Sequence, residues 1–308
     1  MNYNLITILG PTAIGKTKLA ASLAHKFKGE IISADSRQVY KGMDIGTGKD
    51  FSDYIVDGFK IPYHLIDIVD PEIEFNLFEF TSHFIEAFKN IISIKKIPFL
   101  TGGTGLYITA ILQNYNVKKL DYNEDVVNEL SKLTYDELKN LLIKIKPKLH
   151  NTTDFENSER LIKAILLEKS DGESLLKNIN INSLVIGVKF ERSEIRKRIT
   201  ERLNKRLNEG MIEEVQKLLD SGVSYERLLK FGLEYKFIAM HLKGEIDYKD
   251  MFQKLNTAIG AFAKRQMTWF RKMEREGVKI NWIENASFDK ASELISKHSF
   301  IPDLENEF

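Results

Sequence analysis

The residues Gly10-Pro11-Thr12-Ala13-Ile14-Gly15-Lys16-Thr17 constrain this chain more than any other stretch, because they satisfy G-x-x-x-x-G-K-[ST] without a mismatch. A loop of this kind wraps its backbone N–H groups around phosphate oxygens, and the helix that follows points its positive end at them. Lys16 supplies a mobile point charge, and the Thr17 hydroxyl is suited to ligating Mg²⁺. The pattern carries weight only between a strand and a helix. Here LITIL (5–9) reads as a buried strand and Lys16 to Phe27 as a helix, so that context is met.

The alternation continues. EIISA (30–34) and HLIDIV (64–69) read as further strands, Leu77 to Lys95 as a helix, and IPFLT (97–101) as a fourth strand. Strands alternating with helices predict a parallel sheet with right-handed crossovers and both faces covered. Beyond about Asn114 the chain turns polar and helical, as in YDELKNLLIKI (135–145) and SERLIKAILLEK (158–169), until SLVIGVKF (183–190) returns as a strand. From Glu191 onward helical periodicity dominates, with a long run over Tyr248–Arg275, and the tail from Phe300 is expected to fray. The predicted fold is α/β: a P-loop NTPase-like parallel sheet flanked by helices, formed by residues 1–116 and 181–308, with a small all-helical insertion at 117–180.

Composition bears on partners more than on fold. No apolar run approaches the roughly 18–20 residues of a membrane helix, the first residues lack a basic n-region and cleavage site, and zero cysteines exclude disulfides and thiolate zinc sites. A cytoplasmic location is the expectation. The net charge is +1, yet residues 191–279 carry 20 Lys/Arg against 14 Asp/Glu, leaving 25 against 30 elsewhere. A neutral mean thus conceals a basic C-terminal half, the asymmetry of a polyanion-binding surface. AKRQMTWFR (263–271) interleaves cations with aromatics. Trp269 and Phe270 are expected to face inward, with Lys264 and Arg265 open to an RNA backbone. The six histidines show neither metal-ligand spacing nor a Ser-His-Asp arrangement.

Two more strand ends carry polar motifs. Asp35-Ser36-Arg37-Gln38-Val39-Tyr40 and KGMDIGTGK (41–49) follow the second strand, and Thr101-Gly-Gly-Thr104-Gly-Leu-Tyr107 follows the fourth. Ligands of a doubly wound sheet bind outside the carboxyl ends of its strands, so Asp35 belongs on the phosphate-loop side. There it can act as a general base, or simply cap a turn. IPFLT ends without an acid, which counts against a motor ATPase or GTPase and leaves a small-molecule kinase open.

These segments resemble the tRNA dimethylallyltransferases (tRNA isopentenyltransferases), bacterial type. The resemblance rests on GPTAIGKT (10–17), DSRQVYKGMDIGTGK (35–49), PYHLID (62–67), TGGTGLYITAIL (101–112), SERLIKA (158–164), RKRITERLNKRLNEGMIEEV (196–215) and AKRQMTWFR (263–271), in family order. It implies transfer of a dimethylallyl group from dimethylallyl diphosphate to N6 of the adenosine 3′-adjacent to the anticodon, with Mg²⁺ as cofactor. By the same resemblance residues 10–17 and Arg198 hold the diphosphate, Arg198 and Arg202 being additional diphosphate or RNA ligands, and Lys16, Thr17 and Asp35 serve catalysis, Asp35 as base. Ser36, Arg37 and Gln38 meet the extruded nucleotide, with Thr104 close by. Glu159, Arg160, Leu161, Ile162 and Lys163, together with Lys264 and Arg265, grip the anticodon stem–loop, and the protein is expected to be a monomer.

The chain departs from the common pattern in three places. Ile259-Gly260-Ala261-Phe262 stands where Thr-Arg-Gln-aromatic is usual, Gly232-Leu-Glu-Tyr-Lys236 where Gly-Tyr is followed by Arg or Lys, and KAILL in the insertion where Arg-Ala-Leu-Glu is typical. Three alternatives stay open on the residues: an adenylate isopentenyltransferase acting on free nucleotides, a small-molecule P-loop kinase, and an RNA-binding relative without activity.

Overall fold

The computed structural model describes residues 2–146, 155 and 157–300. Two compact units emerge, one formed by Met1–Asn114 with Asn180–Phe308 and one by Tyr115–Ile179.

The larger unit is built on six parallel strands: β1 (Leu5–Leu9), β2 (Gly29–Ala34), β3 (Tyr63–His64), β4 (Ile97–Gly102), β5 (Ser183–Lys189) and β6 (Ile280–Glu284). Their spatial order is β3-β2-β4-β1-β5-β6. Every residue of β1 and β2 is buried, the continuous apolar run expected of strands covered on both faces. Helix α1 (Lys16–Lys26) packs Leu19, Leu23 and Ala24 against Ile6, Ile8 and Ile31. Side-chain alternation sends Leu5 and Leu9 to the opposite face. There α2 (Leu77–Ser93) buries Phe80, Phe84 and Phe88, and Phe80 stacks at 4.1 Å on Tyr107 of α3 (Gly105–Leu112).

The expected strand over 64–69 is only a stub. Pairing with β2 is confined to Tyr63 and His64. Leu65 and Asp67 then take positive φ (63° and 56°), which ends the extended run. The Asp67 N–H donates to the Gln38 carbonyl, and the Asp67 carboxylate pairs with the buried Lys49 ammonium. Those residues anchor the loop after β2 instead of extending the sheet. The strand β6 has no counterpart in the sequence reading, which took the chain from Glu191 onward as helical and did not single out INWIE. The tail from 301 onward lies outside the described residues.

The smaller unit consists of α4 (Glu124–Ser131), α5 (Tyr135–Ile145) and α6 (Ser158–Lys169). A capping box between Thr134 and Glu137 starts α5. Leu130, Leu138, Leu142, Leu161 and Ile165 form a small core of its own.

After β5 the larger unit adds α7 (Arg192–Asn208), α8 (Met211–Asp220), α9 (Tyr225–Phe231), α10 (Leu233–Leu242), α11 (Tyr248–Arg275) and, beyond β6, α12 (Phe288–Ser296). Ile199, Leu203, Met211, Tyr235, Leu255 and Ala263 from this layer pack around Val39, Tyr40 and Met43, just after β2. The helical layer is thereby held at the carboxyl edge of the sheet.

Candidate active site

Parallel strands end on one edge, and the order β2-β4-β1 makes the three Gly-bearing turns neighbours. A cavity at that edge is lined from the phosphate loop, Asp35, Arg37, the 46–48 turn, Gly103 and α7. Its free volume is about 90 Å³.

Ala13 (φ 66°) and Gly15 (φ 78°) bend the loop so that α1 begins with no side-chain cap and no acid in its first turn. The first N–H groups of α1 therefore have no partner within the helix, and the helix dipole favours an anion there. The Lys16 ammonium folds back onto the Pro11 carbonyl at 2.6 Å. Burial, then the neighbouring Arg202 charge, lowers its pKa from 10.5 to about 7, partly offset by Asp35.

Three guanidinium groups join it. Arg37 pairs with the buried Glu234 at 2.7 Å. Burial alone would lower Arg37, but Glu234 and Asp35 together hold it above its usual value. Arg206 pairs with Asp50 at 3.3 Å. Arg202 donates to the Thr12 hydroxyl at 2.6 Å, and burial followed by Arg206 lowers it to about 9. Among the described residues, neither Lys16 nor Arg202 forms an ion pair with a carboxylate. Two half-buried cations that repel each other and have no carboxylate in an ion pair mark a candidate site for an anion that arrives from outside.

Asp35 faces the same cavity. Its Oδ1 accepts the N–H groups of Arg37 at 2.9 Å and Gln38 at 3.4 Å, while Oδ2 has no partner among the described residues. The Ser36 N–H donates to the Thr104 hydroxyl at 3.0 Å, joining the turns after β2 and β4. Gln38 is turned inward, its amide accepting from Ser33 and donating to the Gly48 carbonyl.

One residue the sequence reading passed over ties the site together. The buried Gln266 of α11 accepts the Thr12 N–H at 2.8 Å and donates to the Gly103 carbonyl at 2.9 Å. It thus staples the phosphate loop to the turn after β4. A Cβ at Gly103 would overlap the Gln266 amide, so a larger residue there would push that side chain off its hydrogen bonds.

Other expectations meet different outcomes. Arg198 pairs with Glu194 at 2.7 Å and lies over the Phe190 ring. It is absent from the cavity lining, and Arg202 and Arg206, one and two turns later, take its place. In the smaller unit Leu161 is fully buried in that unit's core, so its side chain is not available to a partner. Ile162 packs against the same core, and Glu159 and Lys163 pair at 3.0 Å on α6 with Arg160 between them. Lys264 and Arg265 are exposed on α11, and Phe270 is buried as expected. Trp269 is half-buried and donates to the Thr109 hydroxyl. Asp50, Asp53 and Glu234 line the cavity without having been singled out by sequence.

Oxygen donors are what a metal would find here. Among the described residues no cluster of three or more His, Asp or Glu could hold an ion by itself. The Thr17 hydroxyl, Asp35 and Asp50 all line the cavity, where the Thr101 hydroxyl is buried without a partner. That set fits a hard cation bound chiefly through ligand phosphates and water, the habit of Mg²⁺.

Fold and site together define a phosphate-loop α/β protein whose cavity sets converging cations beside carboxylates, Asp35 among them. A family profile described as IPP transferase matches residues 38–273, and one described as isopentenyl transferase matches residues 3–60. The chain belongs to the IPP transferase family. It is 48% identical over 299 residues to tRNA dimethylallyltransferase 1 of Syntrophus aciditrophicus, covering 96% of this chain and 98% of that protein. With the protein of the same name from Geotalea uraniireducens it shares 50% over 285 residues, 92% and 93% of the two chains. Among solved structures it is similar to the tRNA isopentenylpyrophosphate transferase of Bacillus halodurans (TM-score 0.69, 33% identity, 96% and 95% covered). A eukaryotic dimethylallyltransferase acting on tRNA shares the fold (TM-score 0.74, 21% identity, 96% and 77% covered).

Proposed function

We propose that this chain is a tRNA dimethylallyltransferase, moving a dimethylallyl group from dimethylallyl diphosphate to N6 of the adenosine 3′-adjacent to the anticodon and releasing diphosphate. The observation that carries the reading is the pair of half-buried cations without an ion-paired carboxylate, Lys16 of the phosphate loop and Arg202 of α7, beside the available Asp35 carboxylate. Family membership and the names of the relatives supply the substrate class.

The residues divide the work by charge. As the C–O bond of the donor lengthens, negative charge accumulates on the departing diphosphate. The loop N–H groups, Lys16 and Arg202 interact with that charge more strongly than with the intact ester, which is differential stabilisation of the transition state. Entry of a diphosphate requires Lys16 and Arg202 to leave Pro11 and Thr12, so their hydrogen bonds are exchanged rather than lost. Thr17 with Asp35 or Asp50 would hold Mg²⁺, which supplies further charge neutralisation on the leaving group. The N6 amine is a poor nucleophile because its lone pair is delocalised into the ring. Asp35, with Oδ1 fixed by two N–H groups, presents Oδ2 as the base that takes its proton. The adenosine must leave its stack to reach this edge, and Ser36 and Thr104 stand where it would arrive.

Incubation with dimethylallyl diphosphate, Mg²⁺ and either unmodified tRNA or AMP, followed by nucleoside mass analysis, tests the reading. Adenosine heavier by one prenyl unit in tRNA and unchanged AMP is the expected result. Prenylated AMP would select the free-nucleotide enzyme, phosphate transfer from ATP a kinase, and tRNA binding without diphosphate release an inactive relative.

A further inference from the structure

A second cavity, of about 750 Å³, opens between α7 and α11, and the chemistry above gives it no role. Its volume falls within the 300–1,000 Å³ usual for small-molecule sites. Lys189, Arg192, Arg196, Lys264 and Arg271 stand around it, and no acidic residue does. Lys189 pairs with Glu284 at 3.5 Å. The other four have no acidic partner among the described residues. The floor is apolar: Phe190, Ile195, Ile199, Ala263 and Met267. Gly260 forms part of the wall, and a Cβ built there meets nothing within 4 Å. This is one of the three stretches in which the sequence leaves the pattern it otherwise resembles.

The two cavities are neighbours. On α11, Phe262 and Gln266 line the first while Gly260, Lys264, Met267 and Arg271 line the second. At 100° per residue these sets occupy opposite faces of a helix about 10 Å across. On α7, Ile195 and Ile199 line the second and Arg202 and Arg206 the first, seven residues or about 10 Å further along one face. A splayed single strand crosses such a gap between adjacent nucleotides.

We propose that this cavity receives the base of one loop nucleotide next to the target adenosine, with its phosphate on Arg196, Lys264 and Arg271. The inference rests on RNA being the acceptor. An apolar floor ringed by unpaired cations matches a flat base joined to a phosphodiester, whereas a bare phosphate leaves the floor unused. Gly260-Ala261 keeps the pocket open, so this chain's preference at that loop position differs from that of relatives with a large side chain there.

The test crosses Gly260→Trp, which fills the cavity, with anticodon stem–loops abasic at each position around the target. With wild type, one abasic position raises KM about tenfold or more, the range for a lost stacked base, and leaves kcat within twofold. Gly260→Trp raises KM for the intact stem–loop by a similar factor, and the two losses do not multiply. Diphosphate binding and Tm of Gly260→Trp stay at wild-type values, since the catalytic cavity lies on the other face of α11. If that variant fails to fold, Arg196→Ala/Arg271→Ala runs the same cycle through the phosphate contacts. Penalties that multiply at every position, or an unchanged KM in the filled variant, overturn the inference. A wild-type protein that binds the stem–loop but transfers no prenyl group overturns the proposed function alone, because the same cycle can be read in Kd.

Discussion

Diphosphate binding should draw a proton from solvent through Lys16, by an amount that follows from its burial. In the free protein the ammonium is held at about 7 by burial and by the Arg202 charge. At pH 8 only about a tenth of Lys16 is protonated, and at pH 6 about nine-tenths. A bound diphosphate restores the charged form, so uptake at Lys16 is about 0.9 proton at pH 8 and about 0.1 at pH 6. Affinity weakens as pH climbs past 7, with Kd rising about fivefold from pH 7 to 8 and about ninefold from 8 to 9. Calorimetric titration with inorganic diphosphate, in two buffers of different ionisation enthalpy, reads the proton count. Subtracting Lys16→Met removes the ligand's own protons. Stability offers a second reading with a fixed sign. The folded-state pKa lies below the unfolded one, so the penalty, roughly 5 kcal/mol for the full displacement, is complete below pH 7 and vanishes as pH rises toward 10.5. Lys16→Met should therefore raise Tm most at or below neutrality. Equal proton uptake by wild type and Lys16→Met at pH 8 would refute the account.

Four further outcomes follow from the same geometry. Asp35→Asn should retain tRNA affinity while kcat falls by roughly 10²–10⁴, the range for a lost general base; single-turnover kinetics decides. Gln266→Leu leaves the Thr12 N–H and the Gly103 carbonyl unpaired, each costing about 1–3 kcal/mol. Urea denaturation should show the loss, and KM for the prenyl donor should rise more than KM for tRNA. Lys264→Ala/Arg265→Ala should weaken binding to every tRNA and flatten the slope of log K against log salt, and an unchanged slope would reduce these cations to solvated surface. Leu142→Ala removes a fully buried side chain from the small unit and should cost about 2–5 kcal/mol, seen as faster hydrogen exchange across α4 to α6.

What could be read from sequence was whatever depends on local chemistry. The strand–loop–helix around residues 10–17, the run of α11 over Tyr248–Arg275 and the place of Asp35 at the end of β2 all follow from short-range patterns. Residues 64–69 were misread because an apolar run looks the same whether it continues a ladder or turns, through positive φ at Leu65 and Asp67, to anchor a loop. The arginines pose a different problem. Arg198, Arg202 and Arg206 recur every four residues on one face of α7, and periodicity cannot say which turn reaches the phosphate loop. That is decided by where α7 docks on Val39 and Met43. Gln266 was hidden for a similar reason. It lies between cations in a basic segment, and nothing local reveals that its two hydrogen bonds are made to turns so distant in the chain.

That distance has a consequence for synthesis. Thr12 and Gly103 are made long before the glutamine that braces them, which lies about 250 positions later than Thr12. A product truncated before α11 carries the motif intact but without that brace. Fragments that end before residue 266 should therefore hold the prenyl donor less tightly than this chain does.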